Sequence, residues 1–145
     1  MNGSGGYRFL EHITDAFVEV WGTTLEEAFS QAGMALFDTM LDVKSVKTTT
    51  RVEVEANGHD QKELLYNYLE ELLLLFEIKQ FAIASITVSS ITRTRTDFSL
   101  KAKASGEPYD RNSHGGKVEV KGVTYHLMEV ETQPGRVILR FLLDL

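Results

Sequence analysis

The chain has 145 residues, 43% of them hydrophobic and 25% charged, with a formal net charge of −6 and no cysteine. That is enough chain for one domain with a real core, held by packing alone, since disulfides, thiolate metal sites and a thiol nucleophile are excluded. The acidic balance argues against unaided binding of nucleic acid, which needs clustered Lys and Arg; no apolar run approaches the ~20 residues of a membrane span, so a soluble cytoplasmic protein is expected.

Residues 1–6 read as a short flexible N-terminus, ahead of a single domain over residues 7–145. Residues 17–21 (Phe, Val, Glu, Val, Trp) read as a strand ended by Gly22. Thr23 with Glu26, or Thr24 with Glu27, offers a capping box. Leu25, Ala28, Phe29, Ala32, Ala35 and Leu36 then share one helical face that belongs in a core. Residues 51–55 alternate as a half-buried strand, which Asn57 and Gly58 break. Asp60 and Glu63 open a second helix whose apolar residues, from Leu64 to Phe76, spread beyond one stripe and predict packing on two sides.

The second half is rich in β-pattern. Residues 81–91 are apolar and β-branched, and Phe98, Leu100, Ala102 and Ala104 alternate with polar neighbours. Arg93 and Arg95, in the connection between these strands, read as a solvated edge. Residues 107–116 have the composition of a loop. A long strand is expected over residues 117–132, turned by Pro134 and Gly135 into a last strand over residues 137–143. The sum is an α+β domain with two helices packed on a mainly antiparallel sheet.

The long strand switches parity, with Val118 and Val120 on one side and Val123, Tyr125 and Leu127 on the other, which places a β-bulge at Gly122. If Thr132 faces Arg136 across the turn, Thr124 comes opposite Asp144, and one bulge moves that by about a residue. The last strand thus brings the Asp144 side chain and the main-chain carboxylate of Leu145 beside residues 121–126. Two adjacent hard-oxygen groups on an ordered strand are half of a cation site; the plainer reading is that Asp144 is a polar guard at a strand edge, with Lys121 neutralising it as a surface pair of little energetic worth.

Taken in order, these segments resemble the archease family. The resemblance rests on residues 11–15 (Glu, His, Ile, Thr, Asp), on residues 24–29 opening the first helix, and on residues 35–38 with Met40 and Asp42 closing it. It continues through Leu64, Leu65, Tyr66 and residues 69–72 of the second, and Gly106, Glu107, Asp110 and His114 in the loop. Residues 121–126 with Met128, and the closing Asp144 and Leu145, complete it. It covers nearly the whole chain. It implies a fold of the strand-helix-strand-strand type with an inserted segment. It also implies a role as a non-catalytic activator of the RtcB-type RNA ligase of tRNA splicing, promoting guanylylation and multiple turnover and broadening nucleotide use. The metal site it implies falls on Asp15, Asp144 and the Leu145 terminus, with a divalent ion, calcium foremost, and its essential lysine falls on Lys121. His12, Thr124 and His126 are candidates for groups supporting the metal ligands, with a purely structural role for either histidine equally open. Two departures stand out: residues 12–15 are His-Ile-Thr-Asp where the family has His-Thr-Ala-Asp, and Gly122 stands where alanine is usual. Neither removes a charge.

Two other functions compete. A metal-dependent hydrolase using Asp15 and Asp144 would need a base and nucleophile or a phosphate-cradling loop, and no such motif is present. A general chaperone or scaffold would leave the convergence of Asp15, Lys121 and Asp144 unexplained.

Overall fold

The computed structural model describes residues 5–10 and 15–145. Seven strands, β1 (Gly6–Leu10), β2 (Asp15–Gly22), β3 (Thr50–Gly58), β4 (Phe81–Arg93), β5 (Phe98–Pro108), β6 (Gly122–Gln133) and β7 (Arg136–Asp144), combine with two long helices, α1 (Leu25–Met40) and α2 (Gln61–Glu77). A single helical turn, α3 (Arg111–His114), interrupts the long loop. The α+β class with helices on antiparallel strands holds. The strands form two sheets, however, ordered β1-β2-β7-β6 and β3-β5-β4, and every pairing is antiparallel.

Both long helices start as their sequences dictate. Thr24 caps α1 by accepting the Glu27 N–H, and the Glu27 carboxylate reaches back to the Thr23 N–H at 2.6 Å. Asp60 accepts the Glu63 N–H, and the Glu63 carboxylate reaches back to the His59 N–H at 2.6 Å. In each case one orphan donor of the first turn is satisfied, and the glutamate also binds the N–H of the residue before the cap. Between the two sheets and the helices, Phe29, Leu36, Phe37, Leu64, Leu69 and Tyr68 are fully buried, and each large apolar side chain removed from water is worth about 1.5–3 kcal/mol.

Three expectations are corrected. Gly6 lies in β1 opposite Trp21, so the N-terminal strand begins inside the segment expected to be flexible. A Cβ at Gly6 would come within 2.7 Å of the Trp21 ring, so glycine serves close packing there. The strand expected over residues 117–132 starts only at Gly122; the preceding segment instead begins at the end of α1, with the Lys117 N–H on the Met40 carbonyl, and ends at β7, with the Lys121 N–H on the Asp144 carbonyl. Finally, the bulge is not at Gly122. Thr124 faces Leu142 and Glu129 faces Arg140, so residues 125–128 together stand against Phe141 alone. Leu127 turns the chain there with φ of +61°.

Candidate functional site

β7 is an interior strand of the four-stranded sheet, hydrogen-bonded to β2 on one side and β6 on the other. Its alternate residues Val137, Leu139, Phe141 and Leu143 are buried in the main core, which fixes the opposite parity, including Arg140, Leu142 and Asp144, on the other face. Leu142 is buried yet stands outside that core cluster, as this parity requires. At the end of the strand Asp15 pairs directly with Asp144 from β2, and Gly122 pairs with Asp144 from β6. The Lys121 N–H donates to the Asp144 carbonyl at 2.7 Å. Three chain segments remote in sequence therefore meet at one backbone position. Leu145 is ordered behind them, its side chain packed against the core.

Directly opposed residues of an antiparallel pair have Cβ atoms about 4.5–5.5 Å apart, and like charges placed so repel. A cation between Asp15 and Asp144 would turn that cost into attraction, and hard carboxylate oxygens would suit Ca²⁺ or Mg²⁺ better than a thiophilic ion. The donor set fits such an ion but supplies only part of its shell: among the described residues no cluster of three or more His, Asp or Glu side chains gathers there. The Leu145 carboxylate, water or a partner group would have to add the rest. Lys121 is exposed and, among the described residues, forms no ion pair.

Of the supporting candidates, Thr124 lies in the next row of β6, opposite Leu142, and its hydroxyl accepts the His126 N–H at 3.1 Å. His126 is exposed within the bulge. His12 lies outside the described residues. The sheet thus brings the backbones of Asp15, Asp144 and Lys121 together, with Leu145 next in the chain, whereas His126 lies in the bulge.

One residue left unassigned by sequence proves central to the approach to this corner. His114 is 1% exposed. Its Nδ1 accepts the Asp110 N–H at 3.0 Å, which leaves the proton on Nε2 to be donated to Glu107 at 2.7 Å. The Glu107 carboxyl is held below the usual range by the Lys47 N–H first and by His114 second. The His114 carbonyl accepts from the Asp42 N–H. Three residues on, the Lys117 ammonium binds the Asp38 carbonyl at 3.0 Å and the Asp38 carboxylate at 3.2 Å. A cation there is favourable at the α1 C-terminus, whose last turn has no basic residue of its own. The segment that delivers Lys121 is therefore fastened to the end of α1 at two points. No spacing motif announces this arrangement; only the fold brings Glu107, Asp110 and His114 together.

The fold and corner define a small antiparallel α+β protein with an acidic pair and a lysine at one sheet end, and no helix among the described residues is long and apolar enough to cross a membrane. The model of the Archease protein family (MTH1598/TM1083) matches residues 7–145, and the chain belongs to that family. It is 43% identical to the protein archease of Thermococcus gammatolerans and 40% identical to that of Pyrococcus abyssi, in each case over 93% of this chain and 95% of the relative. The solution structure of Methanobacterium thermoautotrophicum protein 1598 superposes with a TM-score of 0.81 at 32% identity, covering 97% of this chain and 99% of that one. The crystal structure of a Thermotoga maritima archease, described as a possible chaperone, shares the fold with a TM-score of 0.59 at 17% identity.

Proposed function

We propose that this protein is a cytoplasmic, non-catalytic activator of an RtcB-type RNA ligase, promoting formation of the ligase guanylate and its repeated turnover. The observation that carries the proposal is the meeting of Asp15, Asp144 and the Lys121 backbone at one end of the four-stranded sheet, in a chain of the archease family. On this reading Asp15, Asp144 and the Leu145 carboxylate hold one divalent cation, calcium foremost. Lys121 contacts the ligase or the phosphates of its bound nucleotide. An ion held by so few protein ligands keeps open positions, through which an acceptor on the ligase or a phosphate oxygen can join it.

The test is stimulation of a purified RtcB-type ligase, scored as guanylylation in a single turnover and as RNA joined over many. Wild-type protein is expected to raise both, and calcium titrated into the isolated protein is expected to bind at one site. Extending the chain beyond Leu145 replaces the carboxylate by a neutral peptide carbonyl, so the extended protein should fold normally and bind calcium more weakly. A ligase that turns over equally well with and without the protein would end this reading. Nucleotide hydrolysis by the isolated protein would favour an enzyme instead.

A further inference from the structure

Between α3 and β6 the chain crosses from the end of α1 to the end of β7 with little of its own to hold it. Residues 117–121 have no regular secondary structure, and Lys117, Val118, Glu119 and Lys121 are exposed, with Val120 alone buried. An open cavity of about 520 Å³ borders the span, lined also by Met40, Leu73, Phe76 and Tyr109. An exposed segment without ladder bonds, beside a cavity, belongs to the least stable part of a fold. Its geometry is set by the points at which it is tied down.

At the far end the tie is the Lys121 N–H on the Asp144 carbonyl. At the near end, the Lys117 ammonium on Asp38 is a partly exposed pair of little energetic worth. Backbone bonds join Gly116 to Leu41 and Lys117 to Met40. His114 is a tie of another kind, because it is buried and all its polar groups are used. Its ring Nδ1 accepts the Asp110 N–H and its Nε2 donates to Glu107 of β5, while its N–H donates to the Asp110 carbonyl and its carbonyl accepts the Asp42 N–H. An interior hydrogen bond left unmade costs more than a surface pair returns. An apolar side chain would fill the same volume with no polar group to desolvate. What the imidazole adds is direction, since its two ring bonds fix the start of α3 against the end of β5.

We infer that His114, oriented by Glu107, is a positioning residue for Lys121: it fixes the near end of the span whose far end bonds Asp144, and so sets where Lys121 stands at the corner. Gly115, with φ of +62°, and Gly116 follow it directly. Glycines hold a chain direction least well by themselves, so without the His114 anchor the span starts from a free joint and keeps only its surface ties. That Lys121 acts on the ligase rests on the function proposed above; that its place depends on His114 rests on these bonds alone.

The experiment measures amide hydrogen exchange of the free protein, residue by residue, and stimulated guanylylation of the ligase. His114→Phe fills the place of the ring and loses both its bonds. Glu107→Leu removes the acceptor, whereas Glu107→Gln keeps an amide oxygen for its two donors, His114 and the Lys47 N–H. His114→Phe and Glu107→Leu are expected to speed exchange of the Lys121 amide at least about tenfold and to lower guanylylation at least about tenfold. Exchange within β7, which is paired on both sides, should stay as in wild type, and Glu107→Gln should match wild type throughout. His114→Phe should lower no further the stimulation that Lys121→Ala leaves. Unchanged exchange at Lys121 in Glu107→Leu overturns the inference, as does Glu107→Gln behaving like Glu107→Leu. Exchange that quickens equally throughout β7 overturns it too, being loss of the fold rather than of a position, and so does faster exchange at Lys121 with undiminished guanylylation. If His114→Phe does not fold, the two Glu107 variants decide. If the wild-type protein does not stimulate the ligase, the function proposed above falls, and exchange of the Lys121 amide still tests the anchor.

Discussion

Two pairs of residues on the same two strands, on the same sheet face, have opposite electrostatic designs. Glu19 of β2 faces Arg140 of β7, and four residues along the same ladder Asp15 faces Asp144. At the first pair every charge is answered within the protein. Arg140 Nε donates to Glu19 at 2.8 Å, Arg8 donates to its other oxygen at 2.7 Å, and Arg140 Nη1 reaches Glu129 and Glu131. Burial alone would raise the Glu19 pKa, but the hydrogen bonds from Arg140 and Arg8 outweigh it and hold the carboxyl below the usual glutamate range. At the second pair, acid faces acid. Roughly 13 Å of strand separates a pair of opposite charges from a pair of like ones. The first pair serves the fold; on the function proposed above, the second serves a ligand.

The sharpest way to break this contrast is to rebuild the second pair in the image of the first. Asp144→Arg places a guanidinium opposite Asp15, so the variant should melt at or above the wild-type temperature while calcium binding and ligase stimulation fall to background. Loss of folding instead would show that Asp144 is part of the scaffold. Lys121→Ala, at an exposed position with no ion pair among the described residues, should shift the melting temperature by no more than a few degrees and remove most of the stimulated guanylylation. Lys121→Arg retains charge on a wider planar head, and its residual activity measures how much geometry matters beyond charge.

Sequence patterns that depend on a few neighbouring residues were legible, and those that depend on distant ones were legible only in part. Thr24 with Glu27 and Asp60 with Glu63 mark both helix starts because capping is a three-residue interaction. The hairpin turn sets the β6–β7 register to within one residue, Gln133 facing Arg136, and that sufficed to bring residues 121–124 to the end of β7. The bulge was misplaced because glycine is its usual signal, whereas this one turns on Leu127. Parity could have located it: Val123 is buried and so is Met128, an odd and an even position, which requires a slip between them. β1 was hidden behind Gly5 and Gly6, whose packing against Trp21 no local pattern encodes. The burial of His114 depends on Glu107 and on α1, so composition alone made it a loop residue.

A smaller effect is expected at the closed pair. Arg140→Ala leaves Glu19, only 8% exposed, with Arg8 as its remaining cation and removes the link to Glu129 and Glu131. Taking one partner from a mostly buried charge pair costs about 2–3 kcal/mol, a visible drop in melting temperature. Calcium binding at the Asp15–Asp144 end should be unchanged, because no side-chain hydrogen bond among the described residues joins the two pairs. Weakened calcium binding in this variant would mean that the two pairs act as one network after all.

The smallest effect is a pH dependence of that cost. Folding lowers the Glu19 pKa from its ordinary value of 4.5, so around that pH the folded protein binds fewer protons than the unfolded chain. The stability this contributes is complete above 4.5 and is lost as pH falls through the lower folded-state value. Removing Arg140 brings the folded-state value back toward the ordinary one and leaves less to lose. The gap in stability between wild type and Arg140→Ala should therefore be widest near neutral pH and narrow steadily in acid. Glu63 and Glu107, whose pKa values are lowered by their own hydrogen bonds, titrate alike in both proteins and cancel in the difference. Denaturant unfolding of the two proteins between about pH 7 and pH 3 measures it directly. A gap that stays constant across the range would mean that Arg140 acts through packing of its long stem on the sheet rather than through the charge of Glu19.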